Sequence, residues 1–407
     1  MKTIRKKLVS LTFAAIFSVC CPLAFAKSNA EADYFLTLRY AQNAFENGDY
    51  GKALSLAEKA KDERLKVVES ELKILEQTQK IAAVRKAGDS LDDIMSELRQ
   101  RNQTKAIDVI ENYVDKYGKD RFSGKYSVLK DFIIRTKNFP ESDFLIGKIY
   151  RLEGETSVAE DYMNKAYDKK DILNVPDLKY DILYELAEIS KDKHDNDGYE
   201  RYFKNILKDD KYYADEEPKD ANAALNAAKA SKDKADIENS KNIHNKRAYM
   251  NSIVRLIKTN RADSVEKFFL MYRNDSDIST KALVGLSDFY FKQGQNEKAL
   301  RCLALGCITA LTKIEEILKD RLTDYSYTSF ADLLKNASAY SDIVSWGNKN
   351  GIWQMYFNFA EIANSCGCKN FAQELFSILK DYEPESYWRN RAERSYEKLT
   401  GPAPLQQ

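Results

Sequence analysis

Helix-breaking residues are missing from long stretches of this chain. No proline occurs between Pro22 and Pro140 or between Pro218 and Pro384, and the 407 residues include only 15 glycines. Proline removes a backbone donor and clashes with the preceding turn, so stretches this long without it are open to continuous helix. Apolar residues within them recur at three-and-four spacing, the period of one helix face, while alternating β-branched runs bounded by turn pairs are nearly absent. Charged residues make up 31% and apolar residues 43%. That balance suits amphipathic surface helices and excludes collagen-like and multi-pass membrane chains. The expectation is an all-α protein, long enough for two to three domains or one extended array.

The first 26 residues stand apart. Lys2, Arg5, Lys6 and Lys7 precede an apolar run from Leu8 to Cys21, and Pro22 precedes Ala24-Phe25-Ala26. A basic start, a short apolar stretch and a small-x-small site are the anatomy of a cleaved export signal. The apolar run is shorter than a bilayer span needs. Cleavage after Ala26 predicts a chain that starts at Lys27 in the periplasm or cell envelope, with secretion as an alternative. Acylation of Cys20 or Cys21 would instead tether a lipoprotein, although Val19 and Cys20 are larger than the residues such a site prefers. Loss of the leader's four cations takes Lys+Arg from 64 to 60 against 63 acids, so the mature chain carries about −3. It has no bulk attraction for nucleic acid, and no nucleic-acid partner is expected.

Cleavage also leaves four cysteines, Cys302, Cys307, Cys366 and Cys368, in an oxidising compartment. Five residues of helix separate Cys302 from Cys307 by roughly 7.5 Å, too far for a disulfide, and a Cys366–Cys368 ring would be strained. Buried free thiols, or one bridge between the two segments, both remain open.

A repeated pattern runs through the chain. In 143–166, Ile146-Gly147 and Tyr150 fall on one helix, Gly154 in a turn, and Ala159, Met163 and Ala166 on a second helix. The same frame fits Ala41 and Ala44, Gly48, then Ala53, Ala57 and Ala60. It fits Ser287 and Tyr290, Gly294, then Ala299, Leu303 and Gly306, and it fits Ala360 and Ala363, Gly367, then Ala372, Phe376 and Leu379. Weaker copies lie around Ala106, Ala187 and Ile253, without the turn glycine. Turn positions Asn260 and Gly294 are 34 residues apart, Gly154 and His194 are 40, and Gly294 and Gly367 are 73. Small residues let two helices approach closely and large ones fill the gap to the next pair.

This pattern resembles the tetratricopeptide repeat. The resemblance implies a degenerate helix-pair solenoid, and two segments break it: nothing stops a helix from Tyr50 to about Lys86, a long N-terminal helix, and the polar stretch from Asp209 to Asn245 reads as a mid-chain linker. The boundaries it suggests are 27–135 for a first repeat whose second helix continues for about 37 residues (roughly 55 Å), 136–208 for repeats, 209–245 for a charged linker or solvated helix, 246–400 for C-terminal repeats and 401–407 for a tail.

Chemistry is hard to place in this sequence. The only histidines are His194 and His244, and no Walker loop, G-x-G-x-x-G or H-E-x-x-H is present. Glu385-Ser386 matches the motif of lytic transglycosylases, which also carry helix-pair regions, but only 21 residues follow Ser386, too few for a catalytic domain. No catalytic residue, metal site or cofactor is expected. In tetratricopeptide proteins the first helix of each pair lines a concave groove for peptides or partner helices. The resemblance carries that role to Leu38, Gln42 and Phe45; to Phe144, Lys148 and Arg151; to Val284, Asp288 and Phe291; and to Phe357, Glu361 and Asn364. The function implied is an exported, non-enzymatic scaffold for protein–protein interaction in the cell envelope. The alternative is an accessory subunit of an envelope transporter that holds a small apolar molecule.

Overall fold

The computed structural model describes residues 30–77, 138–215, 234–259, 261–276 and 278–401. The export signal, the weak repeat around Ala106 and the extension of the first long helix beyond Gln77 lie outside them. Among the described residues every regular element is helical.

The chain divides into two compact units, up to Leu173 and from Asn174 onward, a boundary that falls inside the 136–208 segment. Unit 1 contains α1 (Ala30–Glu46), α2 (Tyr50–Gln77), α3 (Pro140–Leu152) and α4 (Thr156–Asp168). They form two antiparallel hairpins, α1–α2 and α3–α4, stacked through α2 and α3. Their shared core includes Ala41, Ala53, Ala57, Ile146 and Ile149, all fully buried. Ser142 at the start of α3 donates its hydroxyl to the carbonyl of Ala57 on α2 at 2.8 Å.

Unit 2 contains α5 (Leu178–Asp192), α6 (Asn196–Leu207), α7 (Lys234–Lys258), α8 (Ser264–Met271), α9 (Thr280–Lys292), α10 (Asn296–Arg321), α11 (Phe330–Ser338), α12 (Ser341–Lys349), α13 (Ile352–Ser365), α14 (Lys369–Tyr382) and α15 (Ser386–Thr400). The hairpins α5–α6, α9–α10 and α13–α14 stack in sequence, α6 against α9 and α10 against α13. The pair α7–α8 packs around α10 and α14, and α15 closes the end on α14. Glu385 caps α15 by accepting from the backbone N–H of Trp388 at 3.1 Å, a structural use for the Glu-Ser pair.

Five hairpins share one turn. The second residue after the first helix is left-handed at Gly48 (φ 78°), Gly154 (85°), His194 (57°), Gly294 (71°) and Gly367 (80°). In each, its N–H donates to the carbonyl three residues back and the next N–H to the carbonyl five back, as in Gly294 to Phe291 at 3.0 Å and Gln295 to Tyr290 at 2.8 Å. This arrangement satisfies carbonyls that the helix end would leave without donors. Seven residues before the turn residue stand Ala41, Gly147, Ala187, Ser287 and Ala360, all buried. Five residues after it stand Ala53, Ala159, Tyr199, Ala299 and Ala372, small in every copy but one. The exception is accommodated across the next helix: a Cβ at Gly285 would sit 2.6 Å from Phe203 and 3.2 Å from the Tyr199 hydroxyl. Close approach also explains Gly147, where a Cβ would lie 3.0 Å from Met163 and 3.2 Å from the Ala159 carbonyl oxygen.

The second helix of the third good copy continues far beyond its hairpin. From Cys302 to Thr312 every residue of α10 is buried, so the helix is enclosed on all sides. Thr309 and Thr312 satisfy their hydroxyls on the Leu305 and Ile308 carbonyls and hold a non-helical strap beside them. Asn274 of that strap, fully buried, donates its side-chain N–H to Thr309 at 2.7 Å and its backbone N–H to Thr312 at 3.0 Å. The stretch 209–215 before the undescribed part of the polar segment is also ordered: the Asp210 carboxylate accepts from the N–H groups of Tyr212 and Tyr213 at 2.7 and 2.6 Å. The last part of that segment, from Lys234, is the start of α7.

Candidate binding grooves on the first helices

Ten, six and three residues before each left-handed turn residue, one face of the first helix recurs. In unit 1 this register brings Phe45, Phe144 and Lys148 together. The Lys148 ammonium stands 4.8 Å from the Phe45 ring centre and 5.6 Å from that of Phe144. All three side chains are half-buried, as is Arg151 one turn further along α3, whereas Leu38 of the same register is buried. An ammonium over two ring faces is favourable electrostatically and leaves the ring edges available.

In unit 2 the register includes the weak copy around Ala187, in which His194 replaces the turn glycine and for which the sequence named no groove residues. It places Tyr184, Glu188 and Lys191 on α5 beside Val284, Asp288 and Phe291 on α9. Tyr184 and Val284 line an open cleft of about 600 Å³, with Tyr180, Ile278, Lys281 and Lys349 among its walls. Tyr184 donates its hydroxyl to the Ile278 carbonyl at 2.8 Å, and the Lys281 ammonium lies 4.6 Å above its ring. Burial pushes the phenol well above its ordinary range, so the ring is neutral at any physiological pH. Asp177 and Asp181 add acid to the rim. One turn further along, Asp288 is half-buried, and desolvation raises its carboxyl while Lys292 and Lys191 oppose the shift. Phe291 follows at 41% exposure, a large apolar side chain open to solvent.

The last copy differs. Phe357 is 2% exposed, packed on Phe376 and Trp388 with the Arg391 guanidinium 4.7 Å from its ring centre. Glu361 accepts from the Ser395 hydroxyl at 2.7 Å. Helix α15 therefore covers the face that the repeat register assigns to the groove, and neither residue offers it to a partner.

The four described cysteines are free thiols. Cys302 and Cys307 are enclosed on α10, Cys368 is buried and Cys366 is half-buried at the α13–α14 turn. Burial pushes the Cys302 thiol up to about 12 and Cys366 up to about 11, values at which neither is a ready nucleophile. Among the described residues no cluster of His, Cys, Asp and Glu is arranged to hold a metal ion, and no described helix is long and apolar enough to cross a membrane.

No family model matches the chain. A protein of Treponema pallidum (strain Nichols), described only as an uncharacterized protein, is 25% identical over 355 residues, 87% of each chain. A solved structure, a circular tandem repeat protein with novel repeat topology and enhanced subunit contact surfaces, aligns over 91% of this chain and 88% of its own at 10% identity. Its TM-score is 0.20, too low to carry an argument. The assignment to helix-pair architecture rests on the hairpins themselves.

Proposed function

We propose that this protein is an exported, non-enzymatic scaffold built from tetratricopeptide-like helix pairs, and that it binds a peptide or partner helix on the first-helix face. The observation that carries this reading is the cleft over Tyr184 and Val284, which occupy the register that Phe144 holds in unit 1. An open cleft with aromatic and aliphatic walls and a rim of both charges suits a side-chain anchor with polar flanks. It supports a protein partner over a small apolar ligand, for which an enclosed apolar cavity would be needed. Export rests on the leader anatomy of residues 1–26, and placement in the periplasm or cell envelope follows from it.

The test is site-specific photocrosslinking in intact cells, with the photoreactive residue at Val284 or Phe144, or at Glu316 on α10 as a control, and N-terminal sequencing of the recovered protein. Links to the same few envelope proteins from the groove positions, absent from Glu316, with Lys27 as the first residue, support the proposal. An intact Met1 removes the export reading. Equal labelling from all three positions removes the groove.

A further inference from the structure

Unit 2 has a second cleft, of about 460 Å³, lined by residues of α6, α7, α9 and α10 and of the stretch after α6. Lys204 of α6, Arg247 of α7, and Lys298 and Arg301 of α10 converge on it, and Tyr213, Tyr290 and Cys302 are among its remaining walls. We propose that this cleft binds a small organic dianion carrying a phosphate or paired carboxylates.

The charges support this reading. Lys204 is compensated, with its ammonium 2.8 Å from Glu200 and 3.3 Å from Asp215. Glu200 is further held by the Tyr290 hydroxyl at 2.7 Å, and these partners keep its carboxyl below the usual carboxylate range despite burial. Among the described residues the other three cations make their hydrogen bonds and ring contacts with neutral groups, and Lys298 also helps to lower the Glu200 carboxyl. Arg247 donates Nε to the backbone carbonyl of Asp215 at 3.2 Å, and Arg301 donates to the Asn251 side-chain oxygen at 3.0 Å. Lys298 lies 5.2 Å from the Tyr290 ring centre. Among the described residues four cations thus face two carboxylates, whereas the chain as a whole is close to neutral. Like charges gathered in a half-buried cleft repel one another unless an anion joins them. Cys302 adds no negative charge, because burial keeps its thiol protonated. Two guanidiniums with donors to spare match the paired oxygens of phosphate and carboxylate, which Arg recognises in bidentate geometry.

Calorimetric titration of the full chain with glycerol phosphate, succinate and chloride, at matched ionic strength, tests the assignment. Saturable binding of at least one dianion, absent with chloride, is expected, and the stronger of the two identifies phosphate or carboxylate. Arg301→Gln should weaken it by about tenfold or more, the loss of one charge-assisted hydrogen bond. Lys298→Gln should act in the same direction, and it serves if Arg301→Gln fails to fold. Lys349→Gln, in the other cleft, should leave the affinity unchanged. Equal response to chloride and the dianions, or unaltered affinity in both cleft variants, overturns the proposal.

Discussion

Replacing Gly294 with Ala should destabilise unit 2, and replacing His194 with Gly should stabilise it by a comparable amount. Both residues occupy the same left-handed position of the same turn, with φ of 71° and 57°. A Cβ on Gly294 would meet nothing within 4 Å, so alanine brings no clash and the effect is purely conformational. Left-handed backbone costs an L-residue roughly 1–2 kcal/mol. Alanine recovers about 0.4–1 kcal/mol of that by restricting the unfolded chain, and the net loss is about 0.5–1 kcal/mol. His194 already bears this strain, and its side chain is exposed. His194→Gly should therefore return about 0.5–1 kcal/mol by the same reasoning in reverse. In a unit of this size each kcal/mol moves the melting temperature by roughly 2–4 °C. Urea and thermal unfolding followed by far-ultraviolet circular dichroism would resolve a shift of about 1–4 °C in opposite directions. Two shifts of the same sign, or a neutral Gly294→Ala with a destabilising His194→Gly, would refute the claim that one backbone conformation governs both turns.

Glu383 is completely buried with both carboxylate oxygens unsatisfied, and desolvation holds its carboxyl well above the usual range, reinforced by Glu385 and opposed by Arg389. The folded chain keeps this proton after the unfolded chain releases it near pH 4.5, so Glu383 makes stability fall by up to about 1.4 kcal/mol per pH unit above that point until the folded carboxyl ionises. Urea midpoints of wild type and Glu383→Gln should diverge between pH 5 and pH 8, with the variant gaining; a pH-independent difference would show that the carboxylate is ionised and paired. Asn274→Ala leaves the Ser276 N–H, now 3.0 Å from the Asn274 side chain, without its acceptor and should cost about 1–3 kcal/mol, read as a lower urea midpoint with an unchanged slope. Under native conditions iodoacetamide should reach Cys366 first, and Cys302 and Cys307 only on unfolding. Labelling of all four at one rate, followed by mass spectrometry, would contradict the enclosed α10.

Much of the local architecture was written in residue types. Small residues seven before each turn, and five after every turn but that of His194, marked where two helices touch, because Gly, Ala and Ser allow that approach. The turn glycines marked the hairpins, because the left-handed region is open to glycine without strain. Where these signals lapsed, the sequence became opaque. With His194 in place of the turn glycine the repeat around Ala187 was legible only as a weak copy, spaced 40 residues from Gly154, and Tyr184 was missed. The run Cys302-Leu-Ala-Leu-Gly-Cys-Ile-Thr-Ala-Leu-Thr312 carried a readable sign of a helix enclosed on all sides, but not the identity of the helices around it.

The groove shows the division most clearly. The resemblance to the tetratricopeptide repeat assigned the same face to Phe144, Val284 and Phe357, since helical register depends only on neighbours in the chain. Their surroundings depend on which distant segment packs there. Lys148 from the second hairpin meets Phe45 from the first, Ile278 and Lys349 join Tyr184, and α15 closes over Phe357. The basic cleft likewise gathers Lys204, Arg247, Lys298 and Arg301 from three helices separated in sequence. Helix and turn formation follow from local sterics and were decided by the sequence alone. Burial, desolvation and charge clustering are long-range terms, and only the tertiary structure decided which side chains experience them.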